Sequence, residues 1–390
     1  MTRYARLTGW GKYVPRRVLT NFDLEKMVDT SDEWIRTRTG IRERHIAAPG
    51  ETCCTMSLAS ARQALQVAQL PASELDLIIV ATSTPDYLLP ATASMVQDQL
   101  GAGRAAAFNL GAGCTGWVYA LVTACQFIQA GSYRNALVIG SEQLSMGIDW
   151  TDRNTCVLFG DGAGAVVLEA SDQPTGLLSF QLGSDGSDYD ALIYPGCGGV
   201  HPASQEVIDQ RLNYLRMDGQ RVFKFASRVL ADSVTHVVSE AGLTPDDVAL
   251  IIPHQANDRI LELARRRLRL PPEKVMVNIE RYGNTSAASI PIALVEAIDQ
   301  GRLQAGDRIV FVGFGAGLTW AAAAFHWEPQ EPAAIPAAGW PVRDRLARPV
   351  SQVRTALWST RVRLTSAVEP LLLPLYTFAS GYRQRRRKQK

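Results

Sequence analysis

Short apolar runs punctuate the first 330 residues, and each is followed by a turn of small residues and then by an alanine-rich stretch. Leu77-Ile-Ile-Val80, Ala136-Leu-Val-Ile-Gly140, Val248-Ala-Leu-Ile-Ile252 and Ile309-Val-Phe-Val-Gly313 read as strands buried on both faces. The stretches between them, 59–69 and 229–242 among them, read as helices. Alternation of this kind predicts an α/β protein with a buried sheet.

The pattern repeats. Leu70-Pro-Ala-Ser-Glu-Leu-Asp-Leu-Ile-Ile-Val80 has the shape of Leu243-Thr-Pro-Asp-Asp-Val-Ala-Leu-Ile-Ile-Pro253, 173 residues later. At the same offset Ala136–Gly140 falls against Ile309–Gly313. At a slightly shorter one Ala106-Ala-Phe-Asn-Leu110 falls against Val275-Met-Val-Asn-Ile279. Three matches in one order predict two similar halves, 1–172 and 173–328. A Pro/Ala linker, 329–341, and a basic tail, 342–390, follow.

Charge divides the chain in the same place. The net charge of +2 is the sum of a tail with 12 Lys+Arg against 2 Asp+Glu and a body with 28 against 36. The body is acidic and the tail basic. No apolar run is long enough to span a membrane, and Met1–Pro15 lacks an apolar signal core, so a cytoplasmic protein is expected. The six cysteines include no C-x-x-C pair and no zinc-finger spacing. Neither a disulfide scaffold nor a metal site is predicted, and most cysteines are expected to be small core residues.

Four segments carry candidate chemistry. In Asn109-Leu-Gly-Ala-Gly-Cys114-Thr-Gly-Trp, a strand ends and a helix begins. A cysteine in such a turn faces helix N–H groups that favour thiolate. Gly111 to Gly116 also fits G-x-G-x-x-G, but the central cysteine and the lack of an acidic ribose ligand at the usual spacing weigh against a dinucleotide. Pro253-His254-Gln-Ala-Asn257 follows a strand, where His254 is a candidate base, donor or ligand. Tyr282-Gly-Asn284-Thr-Ser-Ala-Ala-Ser-Ile-Pro291 occupies in the second half the place of the cysteine turn in the first. The repeat therefore brings Cys114, His254 and Asn284 towards one pocket. Gly313-Phe-Gly315-Ala316-Gly317-Leu-Thr-Trp320 is a glycine-rich turn able to present a backbone N–H to an oxyanion. A Cys–His–Asn set suits a thiol protease. It also suits a condensing enzyme, in which the cysteine holds a thioester while His and Asn donate hydrogen bonds to an enolate.

With these motifs assembled, residues 1–328 resemble the 3-oxoacyl-[acyl-carrier-protein] synthase III family, of the thiolase-like superfamily. The stretch 20–45 (TNFDLEKMVDTSDEWIRTRTGIRERH), the Cys114 turn, PHQAN, YGNTSAASIP and GFGAGLTW carry the resemblance. It implies a five-layered αβαβα fold and a homodimer. It also implies acyl transfer from acyl-CoA to Cys114, then decarboxylative condensation with malonyl-acyl carrier protein, initiating fatty-acid synthesis without a cofactor. His254 and Asn284 would assist decarboxylation, and the backbone N–H groups of Cys114 and Ala316 would form the oxyanion hole. Thr30, Trp34, Arg38, Arg153 and Asn257 match positions along the CoA channel. Lys224, Arg259, Arg266 and Arg267 match the basic patch for the acidic carrier protein. Leu89 stands where some members place a Phe that shapes the partner subunit's acyl pocket. The basic tail is a departure from ordinary members, and its apolar stretch and polybasic end suit an anionic membrane surface. No specific nucleic-acid binding is implied. The alternatives are a specialised starter ketosynthase or acyltransferase of secondary metabolism with the same fold, and a non-catalytic scaffold for carrier protein.

Overall fold

The computed structural model describes residues 3–329; the linker from 330 onward and the basic tail lie outside the described residues. Nine strands form one continuous hydrogen-bonded array. They are β1 (Tyr4–Tyr13), β2 (Leu77–Ala81), β3 (Ala106–Leu110), β4 (Asn135–Glu142), β5 (Gly162–Ser171), β6 (Gly176–Ser184), β7 (Val248–Pro253), β8 (Arg308–Gly315) and β9 (Thr319–His326). The order is β7-β8-β9-β6-β1-β5-β4-β2-β3. Read outward from the middle, β1-β5-β4-β2-β3 and β6-β9-β8-β7 are the same path. Each runs antiparallel, antiparallel, then parallel.

The two sheets meet at a single parallel register pair, Ala5 with Gly176. Gly176 has φ +78, and a Cβ there would lie 1.8 Å from the Ala5 carbonyl oxygen. Only glycine permits that approach.

The central layer is made of α4 (Gly116–Gln129) and α7 (Ser289–Asp299). Both are apolar on nearly every side, as helices packed between two sheets must be. Trp117, Leu121, Ile290 and Leu294 fill one core with strand residues of both sheets. The outer helices are amphipathic. α2 (Cys53–Ala68) and α3 (Thr92–Leu100) cover one sheet, while α5 (Gly219–Glu240) and α6 (Asp258–Arg267) cover the other. A further helix, α1 (Asp32–Thr39), packs beside α6. The result is the five-layered αβαβα arrangement.

The counterpart of β3 in the second half is reduced to one bridge, Ile251 with Val275. The Gln255 amide takes over the backbone pairing. It donates to the Met276 carbonyl at 3.1 Å and accepts from the Asn278 N–H at 3.0 Å.

Candidate active site

Two loops at strand ends and the segment after a short helix, Ile279–Tyr282, where the sequence suggested a strand, converge on one cavity of about 490 Å³, and Cys114, His254 and Asn284 all line it. Cys114 sits in a tight turn, Gly113–Thr115, between β3 and α4. The hairpin joining β8 to β9 presses against it. A Cβ on Gly315 would fall 2.6 Å from the Cys114 nitrogen, so glycine is required at that contact. Strand β8 runs through Gly315, so the glycines expected to form the turn lie partly in the strand, and the turn itself is Ala316 to Leu318.

Only 7% of Cys114 is exposed. Burial pushes its thiol up to about 11. The Ser286 hydroxyl pulls it down, the Glu142 carboxylate pushes it up, and the backbone N–H groups of Ala316 and Cys114 pull it down. The sequence suggested thiolate favoured by the helix terminus. In the folded chain desolvation outweighs that effect, and the resting group is a thiol.

His254 follows β7 and its backbone N–H continues the ladder to the Val312 carbonyl. The ring is buried, and Nδ1 lies 2.7 Å from the Ser289 hydroxyl. That oxygen already accepts the Gln255 N–H at 3.4 Å. The hydroxyl can also serve the ring as a donor; with Ser289 donating to Nδ1, the imidazole proton sits on Nε2. Phe314 meets the ring edge-on at 5.5 Å. Burial pushes the His254 pKa down to about 3, so the ring is a neutral donor. Asn284 is fixed in the same manner. Its Oδ1 accepts from the Ser286 N–H at 2.9 Å, leaving the NH₂ group for the cavity. The site therefore offers two neutral donors beside a protonated thiol.

At the cavity mouth, the Arg38 and Arg153 guanidinium groups lie 5.0 and 5.3 Å from the Trp34 ring centroid. Arg153 also donates to the Asp29 carbonyl. Asn257 caps α6 by accepting from the Arg259 N–H, and donates to the Arg38 carbonyl at 3.0 Å. Trp34, Arg38, Asn257 and Arg259 line the cavity, whereas Thr30 and Arg153 do not. The Thr30 hydroxyl is buried without a partner among the described residues.

These geometries match known proteins. Residues 108–186 fit the 3-oxoacyl-[acyl-carrier-protein (ACP)] synthase III family, and residues 238–327 fit that family's C-terminal region. A β-ketoacyl-[acyl-carrier-protein] synthase III of Roseiflexus sp. is 54% identical over 327 residues, covering 84% of this chain and 99% of that protein. The chain belongs to the 3-oxoacyl-[acyl-carrier-protein] synthase III family. It is accordingly an acyltransferase of the condensing type. The crystal structure of a synthase III from Aquifex aeolicus is 48% identical, with a TM-score of 0.78, covering 83% of this chain and 100% of that one. The priming β-ketosynthase of a polyketide pathway also has a TM-score of 0.78, covering 85% and 98%. Its identity falls to 36%, which disfavours the secondary-metabolism alternative.

All four basic positions, Lys224, Arg259, Arg266 and Arg267, are exposed, and the Arg259 guanidinium sits 5.7 Å from the Phe223 ring centroid. Arg266 pairs with Glu262 and Arg267 with Asp232, each at 2.6 Å. Leu89 is 87% exposed and lines no part of its own chain's cavity. Among the described residues no group of three His, Cys, Asp or Glu is arranged to hold a metal. No described helix is long and apolar enough to cross a membrane.

Sequence reasoning passed over Ser286, Ser289, Phe314 and Glu142. The two serines lie inside Asn284-Thr-Ser-Ala-Ala-Ser289, read there only as small residues. The available signal for Glu142 was an acid closing an otherwise apolar strand.

Proposed function

We propose that this synthase III family member carries its acyl group on Cys114 and makes its carbon–carbon bond with the help of His254 and Asn284. The observation that carries this assignment is the pair of neutral donors, the buried His254 ring and the oriented Asn284 amide, lining one cavity with the cysteine. A thiol protease needs a histidine basic enough to take the thiol proton. A ring held near pKa 3 is not such a base.

In the first half-reaction the Cys114 sulfur attacks the carbonyl of an acyl-CoA. The N–H groups of Cys114 and Ala316 hold the oxyanion, and the CoA thiolate departs. In the second, His254 and Asn284 donate to the thioester carbonyl of malonyl-acyl carrier protein. Loss of CO₂ leaves an enolate on that oxygen. Neutral donors stabilise it without supplying a proton to the carbanion, which attacks the acyl-cysteine and expels the Cys114 sulfur. The chemistry uses acyl-CoA as substrate and needs no cofactor.

The Trp34–Arg153 stack suits an adenine, and Arg38 suits a CoA phosphate. Thr30 and Asn257 belong to the same channel; the unpartnered Thr30 hydroxyl supports a ligand contact there. Lys224 and Arg259, with Arg266 and Arg267 behind them, form the carrier-protein patch. Tyr87, Leu88 and Leu89 are 58%, 85% and 87% exposed, an apolar loop suited to a partner subunit of a cytoplasmic homodimer, where Leu89 would border the partner's acyl pocket. The mirrored strand paths support two domain halves, 1–172 and 173–328. The composition of 342–390 supports contact with an anionic membrane surface.

Intact-protein mass spectrometry after incubation with a panel of acyl-CoAs tests the first step. An acyl adduct on the wild type that is absent from Cys114→Ala is expected. An adduct that survives in Cys114→Ala would refute the assignment.

A further inference from the structure

Acyl transfer takes a proton from Cys114, and none of the residues placed so far accepts it. Burial holds His254 neutral, and Asn284 does not ionise.

The short turn Ser286–Ala288 packs against both the cysteine turn and the end of β4. Its first residue links three functional groups. Ser286 stands on the turn that packs against the cysteine turn, and its hydroxyl pulls the Cys114 pKa down. The same hydroxyl donates to Glu142 Oε1 at 3.0 Å. The backbone N–H holds Asn284 Oδ1. Ser286 adopts φ +48, left-handed for a residue with a side chain, and such strain collects at functional sites.

Glu142 is fully buried. Its carboxylate receives the Thr84 hydroxyl at 2.6 Å, the Thr82 hydroxyl at 3.3 Å and the Ser83 N–H at 3.2 and 3.1 Å. Among the described residues no cation hydrogen-bonds or ion-pairs with it. The titratable groups that feel its charge are Cys114, Cys53 from α2 and Tyr194. A buried structural carboxylate is ordinarily paired with a cation. This one is surrounded by hydroxyl and amide donors and is linked to a nucleophile through one serine.

We propose that Glu142, acting through Ser286, stores the Cys114 proton for as long as the cysteine carries the acyl group. The proposal rests on the condensing-enzyme reading and extends it. On acylation the Cys114 S–H bond breaks and its proton passes to the Ser286 oxygen as the Ser286 proton moves to Glu142. The sulfur forms the new thioester, and CoA leaves as thiolate, taking a proton from solvent. On condensation the enolate attacks, the Cys114–acyl bond breaks, and the stored proton returns by the same route to the sulfur. The cycle consumes one solvent proton, which ends on CoA. A carboxyl whose pKa is raised by burial suits both roles, as acceptor and as donor.

Ser286 relays the proton and Glu142 acts through it, and pH separates this role from a structural one. The test measures acyl loading from acyl-CoA against pH by intact mass, beside the pH profile of Cys114 alkylation by iodoacetamide. Glu142→Gln should load at least about tenfold more slowly at pH 7. The loss should be recovered as rising pH ionises the thiol without help, in parallel with alkylation. Ser286→Ala, which keeps the carboxylate, should show the same loss and recovery, and Glu142→Asp should restore part of the rate. Wild-type loading by both substituted proteins at pH 7 would overturn the proposal, as would a loss that pH does not recover. No adduct on the wild type would overturn the condensing reading and the proposal with it.

Discussion

At the residue scale the site depends on groups kept neutral by burial. His254 has a folded pKa near 3 against an ordinary value of 6.5, so the unfolded chain takes up the proton first. The stability this residue contributes is complete above pH 6.5 and is lost as pH falls from there towards 3. The donor role proposed for it needs only the neutral ring, which persists well below pH 6.5. Decarboxylation of malonyl-acyl carrier protein should show no inflection near pH 6.5 when its rate is followed from pH 5.5 to 8, whereas an exposed imidazole would show one. Cys114 and His254 were legible in the sequence because each lies in a loop after an apolar strand, and Asn284 because it occupies the place of Cys114 in the repeat, although a short helix and not a strand precedes it. Ser286 and Ser289 were not. A serine that fixes a tautomer looks, in sequence, like one chosen for its size, and only a 2.7 Å contact separates the two. The direction of the Cys114 shift was equally hidden, since a helix terminus can be read from a sequence but the depth of burial cannot.

At the element scale the β8–β9 hairpin approaches the cysteine turn too closely for any side chain at Gly315. Gly315→Ala would place a methyl group 2.6 Å from the Cys114 nitrogen and 3.0 Å from its Cβ. A displacement of the turn costing about 1–3 kcal/mol is expected. It should appear together as a lower melting temperature and slower acyl loading. α6 carries a different prediction. Glu262 is shared by Arg265 and Arg266 and Asp232 pairs with Arg267, whereas Lys224 on α5 and Arg259 are exposed and make no ion pair among the described residues, which suits the proposed carrier-protein contact. Lys224→Glu should raise the KM for malonyl-acyl carrier protein several-fold at low salt and less at high salt, with acyl-CoA loading unchanged. Apolar runs made the central strands legible. The second-half partner of β3 was readable only as a match in sequence, because the Gln255 amide replaces its ladder and leaves one bridge.

At the scale of the whole molecule, two sheets share one backbone contact, and the helices between them bring the first half's cysteine to the second half's histidine and asparagine. The 173-residue repeat made this arrangement legible before any coordinates, because duplicated strand paths place equivalent turns at one junction. A chain truncated after Glu328 keeps every residue of the site. It should load and condense at the wild-type rate and lose binding to anionic liposomes in sedimentation; equal binding by both chains would remove the tail from any membrane role.

The division of labour between Cys114 and its two donors is tested most directly in a single-turnover chase. The acyl adduct is formed first, excess acyl-CoA is removed, malonyl-acyl carrier protein is added, and the enzyme mass is followed with time. Wild-type protein should lose its adduct as the 3-oxoacyl carrier protein appears. His254→Ala and Asn284→Ala should form the adduct and then retain it, with condensation slowed by about 10²–10³. Adducts that discharge at the wild-type rate in both variants would contradict the account.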